Sequence, residues 1–184
     1  MRTKRLLLRH WQESDLKPFA DMNADHRVRE YFPNLLSEEE SNASIEQFQR
    51  DLEINGFGFW AIELLEEKQF IGFCGINHVK FDSHFTPCIE IGWRLAAQYW
   101  GHGYATEAAQ EALKCGFSNY NFHEIVAFTA VYNKRSRRVM EKLGMHRSEK
   151  DDFDHPKIEK GKPVCRQVLY RIFQKEWNDR PKFS

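Results

Sequence analysis

The segment Gln98-Tyr-Trp-Gly101-His-Gly103-Tyr-Ala-Thr-Glu-Ala108 places two glycines one residue apart, between a run that reads as a strand and one that reads as a helix. Glycine at such a junction lets the free N–H groups of a helix N-terminus approach a ligand closely. Those groups and the helix dipole favour an anion, commonly a phosphate. The same residues also suit a tight turn that holds nothing. A dinucleotide fingerprint fits poorly, because Thr106 stands where Gly or Ala is needed and Glu124 opens the next strand instead of an acid closing it. A P-loop would need Gly-Lys-Ser/Thr, which is absent. Further along, Lys134, Arg135, Arg137 and Arg138 crowd the predicted start of another helix. Cations there oppose the dipole, an arrangement made less costly by a bound polyanion, whether a nucleotide's phosphates or RNA. A solvated basic face is the plainer alternative.

The elements that must position these residues can be read from spacing. Residues 5–9 form a short first strand, and Asp15 is the expected N-cap of a helix over 16–24. Ser37 and Glu40 have capping-box spacing for a polar helix reaching about residue 53, ended by Gly56 and Gly58. Runs 59–65 and 70–79 flank the charged turn Glu66-Glu67-Lys68, which predicts an antiparallel hairpin. A loop over 80–87 leads to 88–95, where Ile89, Ile91, Trp93 and Leu95 alternate with Glu90, Gly92 and Arg94, the period of a half-buried strand. After the glycines, Ala105, Ala108, Ala109, Ala112, Leu113, Gly116 and Phe117 define an amphipathic helix. A strand at 124–131, a helix at about 134–143 stopped by Gly144, and a strand at 168–173 complete the pattern. With no repeat, low-complexity tract or linker, one α+β domain over residues 1–184 is the simplest reading.

Composition narrows the partners. Twenty-seven basic residues balance 27 acidic ones, so a dedicated nucleic-acid binder is disfavoured. The four cysteines are widely spaced and the histidines form no ligand set, so no metal site is expected. The N-terminal MRTKRLLLRHW has only a three-leucine apolar run, too short for a signal peptide or a membrane span. A cytoplasmic protein with reduced thiols, not attached to a membrane, is expected.

Gln98-x-x-Gly101-x-Gly103-Tyr-Ala, following Gly-Trp-Arg-Leu, resembles the acetyl-CoA loop of the GNAT N-acetyltransferases. Asn133-Lys-Arg-Ser136-Arg-Arg-Val-Met-Glu-Lys-Leu-Gly144-Met resembles the second CoA-contacting segment of the branch containing the ribosomal-protein acetyltransferases RimJ and RimL. The tail from Phe153-Asp-His-Pro156 through Val168-Leu-Tyr170 is similar to a subgroup of that branch, although Gln167 stands where its relatives often have His. The two motifs occur in the right order, and the resemblance spans nearly the whole chain. It implies a GNAT fold: a mixed, mostly antiparallel sheet, splayed at the acetyl-CoA site and flanked by helices on both faces.

The resemblance also implies roles. Backbone of Trp93, Arg94 and Leu95 would pair with the pantetheine arm and polarise the thioester carbonyl. The pyrophosphate would lie over Gln98 and the run Gly101, His102, Gly103, Tyr104 and Ala105. Asn133 would contact pantetheine, and independently it is a favoured N-cap. Ser136 would supply a proton or hydrogen bond to the leaving thiolate, since Met140 occupies the position where many relatives carry a catalytic Tyr. Glu90 is the general-base candidate, because an ammonium acceptor must lose a proton before it attacks. It lies on the polar side of its strand, with Gly92 beside it leaving room for an acceptor. A structural Glu90–Arg94 pair is the competing reading, and His102, His123 and His155 are weaker candidates. Acetyl transfer to a primary amine is thus expected, a protein N-terminus being the acceptor that RimJ and RimL suggest. Polyamines, aminoglycosides and amino acids stay open, as does a homodimer. The alternatives of another class are a CoA-binding module without catalysis and an RNA- or ribosome-associated protein using the 134–138 patch.

Overall fold

The computed structural model describes residues 1–180. Its elements are β1 (Leu6–Arg9), α1 (Leu16–Ala24), α2 (Glu38–Asn55), β2 (Phe59–Leu64), β3 (Phe70–His78), β4 (Ile89–Leu95), α3 (Tyr104–Asn119), β5 (Glu124–Ala130), α4 (Lys134–Lys142), β6 (His146–Arg147), β7 (Phe153–Asp154), β8 (Arg166–Phe173) and α5 (Gln174–Asn178). The strands join one sheet in the order β1-β2-β3-β4-β5-β8-β6, with β7 on β8. The expected hairpin forms, with Trp60 opposite Cys74 and Phe59 opposite Gly75. Every strand pair is antiparallel except β4 with β5, which α3 connects as a crossover.

That parallel pair is the weak seam. β4 and β5 are in register only at Glu90 opposite Val126. Beyond it β4 stays with β3, down to Leu95 opposite Gly72, and β5 stays with β8, down to Ala130 opposite Gln167. The two strands therefore diverge toward their C-terminal ends and leave their facing edges unpaired with each other. This is the splayed sheet expected from the family resemblance.

Both faces are covered. Phe73 of β3 packs against Phe19 of α1 and Phe48 of α2, within an aromatic cluster that also includes Trp11, Phe59 and Phe70. Ile76, three residues on and hence on the opposite face, meets Gly116 of α3, where a Cβ would lie 3.1 Å from its Cδ1. A satellite cluster of Phe81, Phe85, Phe128 and Phe153 lies beneath the 80–87 loop. No helix among the described residues is long and apolar enough to cross a membrane.

Most predicted boundaries agree with the structure. The Ser37–Glu40 capping box is present in both directions, and Gly144 adopts the left-handed conformation that ends α4. Asp15 corrects the expectation made for it: it precedes α1, but its side chain makes no capping bond. It is buried and takes a two-pronged bond from Arg9 at 2.6 and 2.9 Å, while Arg9 Nε reaches Glu63 at 2.7 Å. The carboxylate thus ties the entry of α1 to β1 and β2. Removing one partner of a charged hydrogen bond costs about 1.5–3 kcal/mol. Asp15→Asn is expected to lower stability by about 2 kcal/mol, read as a lower urea midpoint at unchanged slope. An unchanged midpoint would show the pair to be dispensable.

Candidate active site

On one face of β4, Glu90, Gly92 and Arg94 line a cavity of about 640 Å³ at the mouth of the seam. Phe59 and Phe73 form its floor, and Val28, Tyr31 and Phe32 from the segment between α1 and α2 form its outer wall. The starts of α3 and α4 close the remaining side. Of the residues expected at the site, Glu90, Trp93, Arg94, Leu95, Gly101, Gly103, Tyr104, Ala105, Asn133 and Ser136 all line this one space. Gln98 and His102 do not: Gln98 is exposed and lines a separate cavity near Arg9 and Gln12. The exposed His102 ring stacks on Tyr104, and its carbonyl accepts from Arg5 at 3.0 Å.

The glycine loop has the form of an anion cradle. Gly101 and Gly103 have φ of +84° and +82°, a region that disfavours side chains. A Cβ on Gly101 would meet no protein atom within 4 Å, and one on Gly103 would meet only Arg5, at 3.6 Å. The space above both is open. Gly103 precedes Tyr104 and gives the first N–H groups of the 16-residue α3 no capping side chain, and Tyr104, Ala105 and Thr106 border the cavity. These features fit the diphosphate of CoA.

Across the seam, Asn133 Oδ1 accepts from Ser136 N at 3.1 Å and its Nδ2 donates to Thr129 at 2.9 Å. The N-cap reading of Asn133 is correct, and one Nδ2 hydrogen remains for a ligand. The 134–138 basic patch is not one face. Arg137 turns inward to the Val131 carbonyl at 3.1 Å, and Arg135 pairs with Glu30 at 2.7 Å and lies 4.4 Å from the centre of the Trp100 ring. Arg138 and Lys142 line the cavity. The cations are thus divided among internal partners and the pocket, while Lys134, Arg135 and Arg138 are exposed. Met140, at the position of the missing Tyr, is buried and also borders the cavity.

Glu90 and Arg94 do not pair, correcting the structural alternative. Residues four apart on a strand are separated by about 13 Å, and Arg94 Nη1 instead donates to Asn23 at 2.8 Å. Glu90 is half-buried, and the hydration lost by its carboxyl pushes its pKa up to about 7; Lys80 opposes the shift only partly. The Lys80 ammonium is committed to Asp51 at 2.7 Å. Gly92 leaves less room than expected, because a Cβ there would meet the Phe59 ring at 3.0 Å. Gln167 is buried, and its Nε2 donates to the Val164 carbonyl at 2.6 Å, a structural role. Sequence reasoning missed Asn23 and Phe32, which no motif marks, and Thr129, whose place four residues before Asn133 was its only signal.

The chain matches the model of the acetyltransferase (GNAT) domain family over residues 5–146. It is 34% identical over 178 residues to the uncharacterised N-acetyltransferase YnaD of Bacillus subtilis, covering 96% of this chain and 98% of that protein. Its structure resembles a GNAT-family acetyltransferase from Bacillus anthracis with a TM-score of 0.77 and 29% identity, over 96% of this chain and 99% of the other. Spermidine N-acetyltransferase from Vibrio cholerae, solved with CoA and spermine, shares the fold at a TM-score of 0.74 and 18% identity, over 96% of this chain and all (100%) of that one. The glycine cradle beside an opened parallel seam and the match over most of its length lead to one conclusion: this chain belongs to the GNAT acetyltransferase family.

Proposed function

We propose that this protein transfers the acetyl group of acetyl-CoA directly to a primary amine, in the manner of the RimJ and RimL branch, whose acceptors are protein N-termini. One observation carries the reading: Glu90, Ser136, the unpaired edge of β4 and the glycine cradle border a single cavity. The cradle and the α3 N-terminus hold the diphosphate, and Arg138 and Lys142 add positive charge. The free edge of β4 at Trp93–Leu95 holds the pantetheine arm and donates to the thioester oxygen, where charge develops.

The proton inventory closes with two side chains. The acceptor enters as an ammonium and gives one proton to Glu90, whose pKa of about 7 suits a base at neutral pH. The amine nitrogen then bonds to the thioester carbon. As the C–S bond breaks, a second proton leaves the nitrogen and the thiolate is protonated through the Ser136 hydroxyl. Glu90 releases its proton to solvent, so amide, free thiol and one proton result. Direct attack requires both substrates in the cavity together, which its continuity from cradle to Phe32 allows.

Three outcomes test this. Acetyl-CoA at 100 times its dissociation constant should stabilise the protein by about 2.7 kcal/mol, a rise of about 5–10 °C in Tm. Gly103→Val should abolish that rise, and an unshifted wild-type Tm would end the proposal. Ser136→Ala should lower kcat by about 10²-fold or more with little change in acetyl-CoA affinity; a normal kcat when chemistry limits the rate would exclude the role. For Glu90, the rate depends on the deprotonated form, so wild-type kcat/KM should rise with pH through about 7. Glu90→Gln should lose that limb. Two acceptors of different pKa keep the enzyme's limb apart from the amine's own, and a limb that follows the acceptor and survives in Glu90→Gln would leave solvent as the base.

A further inference from the structure

The charge lining the acceptor end of the cavity is unusual for an enzyme of cationic amines. Glu90 is the acid that borders it, whereas Arg27 and Arg94 face the same space. Arg27 is neutralised by Asp25 at 2.6 Å, but Arg94 has no acid within ion-pair distance among the described residues. Its neighbour is a second arginine, Arg29, buried and bonded through Nε only to the Asn34 carbonyl at 2.8 Å. Both guanidinium groups lie over the Phe32 ring, Arg94 at 4.1 Å and Arg29 at 4.5 Å from its centre, and Phe73 lies 5.2 Å from Arg94. Burial and the repulsion of Arg29 lower the Arg94 pKa to about 9, which leaves it charged at neutral pH. Two desolvated cations therefore share one aromatic ring; Glu40 partly offsets the charge of Arg29, and no acid among the described residues does so for Arg94.

The way Arg94 is held leaves one edge unused. Asn23, fully buried and itself bonded to Ser41 at 3.2 Å, takes Nη1. Nε is buried without any hydrogen-bond partner, and no bond of Nη2 is present among the described residues. Nε and Nη2 form the side-on fork that matches a carboxylate with two parallel bonds. A buried donor left unpaired is costly, and a desolvated charge more so, unless a ligand completes it. A polyamine would bring further positive charge to this place, whereas an acceptor carrying an anion would supply the missing partner.

We propose that the acceptor is a primary amine that also carries a carboxylate, bound by the Nε–Nη2 edge of Arg94, with Phe32 and Phe73 flanking the guanidinium. This deepens the acetyl-transfer reading and rests on it: Glu90 serves the amine end, and Arg94 determines specificity at the other. The carboxylate can belong to a free amino acid or to an acidic residue beside a peptide N-terminus. Both present the same chemistry to the fork.

The test measures CoA release with matched pairs: free α- and ω-amino acids against their carboxamides, and short peptides with Asp or Glu near the N-terminus against their Asn or Gln counterparts. In at least one arm the acid should exceed its amide in kcat/KM by about 10- to 100-fold, mainly through KM, the size of a charged hydrogen bond. The arm that responds identifies the source. Arg94→Gln should erase the ratio, and Arg94→Lys, which keeps charge without the fork, should retain a smaller one. Equal rates for acid and amide in every pair, or a preference that survives Arg94→Gln, would overturn the proposal while leaving acetyl transfer intact. If no amine turns over, acetyl transfer fails separately. Arg94 is then judged by calorimetric titration of the wild-type protein with CoA present, using N-acetylated acids and peptides against their amides. Binding of an acid but not its amide supports the proposal, and binding of neither, or of both alike, overturns it. The wild-type comparison holds even if Arg94 variants fail to fold.

Discussion

The site depends on a failure of pairing. A parallel sheet satisfies the backbone N–H and C=O groups of each strand from both sides, yet β4 and β5 meet only at Glu90 and Val126. Each strand is instead held on its outer side, β4 by seven antiparallel pairs to β3 and β5 by seven to β8. The seam can open because those outer ladders hold the strands without it. Where it opens, Trp100 Nε1 donates to the Leu95 carbonyl at 2.9 Å, satisfying one of the groups at the end of the strand. The remaining edge is a strip of backbone donors and acceptors with no strand to meet them. A ligand with amides along its length suits such a strip in the way an added strand would.

The same strand then presents two charged, half-buried side chains to the cavity, and the two are handled differently. Glu90 has no ion-pair partner among the described residues, so burial outweighs the pull of Lys80 and raises its pKa toward neutrality. Arg94 stays charged across that range and is fixed by Asn23 and aromatic rings. Exchanging these positions would place a permanently charged group beside the seam and a titrating one against Phe32. The order along β4 therefore places a carboxyl that titrates near neutrality at one end of the cavity and a fixed positive charge at the other.

The sequence displayed the backbone features of this arrangement more clearly than its side-chain partners. Gly101, Gly103 and Gly144 were legible because positive φ is a local requirement, and the alternation of 88–95 was legible because one face of β4 is core. The two-residue strands β6 and β7 escaped because so short a segment carries no period. Asp15 showed the N-cap signal but was recruited by Arg9, a tertiary partner whose strand geometry local spacing does not encode. Gln98 matched a motif and yet faces another cavity, so spacing located the loop without fixing the direction of each side chain. Asn23, 71 residues before Arg94, could be assigned only once α1 was packed beside the sheet.

The outer wall joins the two ends of the cavity. The segment between α1 and α2 carries Phe32, which lies against both Arg29 and Arg94, and Glu30, which pairs with Arg135 at the start of α4. Arg135 also lies against Trp100, just before the glycine cradle. The Glu30 pair is half-exposed on both sides, and an ion pair of that kind contributes only about 0–1 kcal/mol. Such a tie can hold the wall in place without locking it. The α1–α2 segment is a loop carried on the surface, whereas the glycine cradle and the seam are built from strand and helix ends. Strand and helix ends thus fix the glycine loop and the seam, while the α1–α2 segment and Arg94 shape the opposite end of the same cavity.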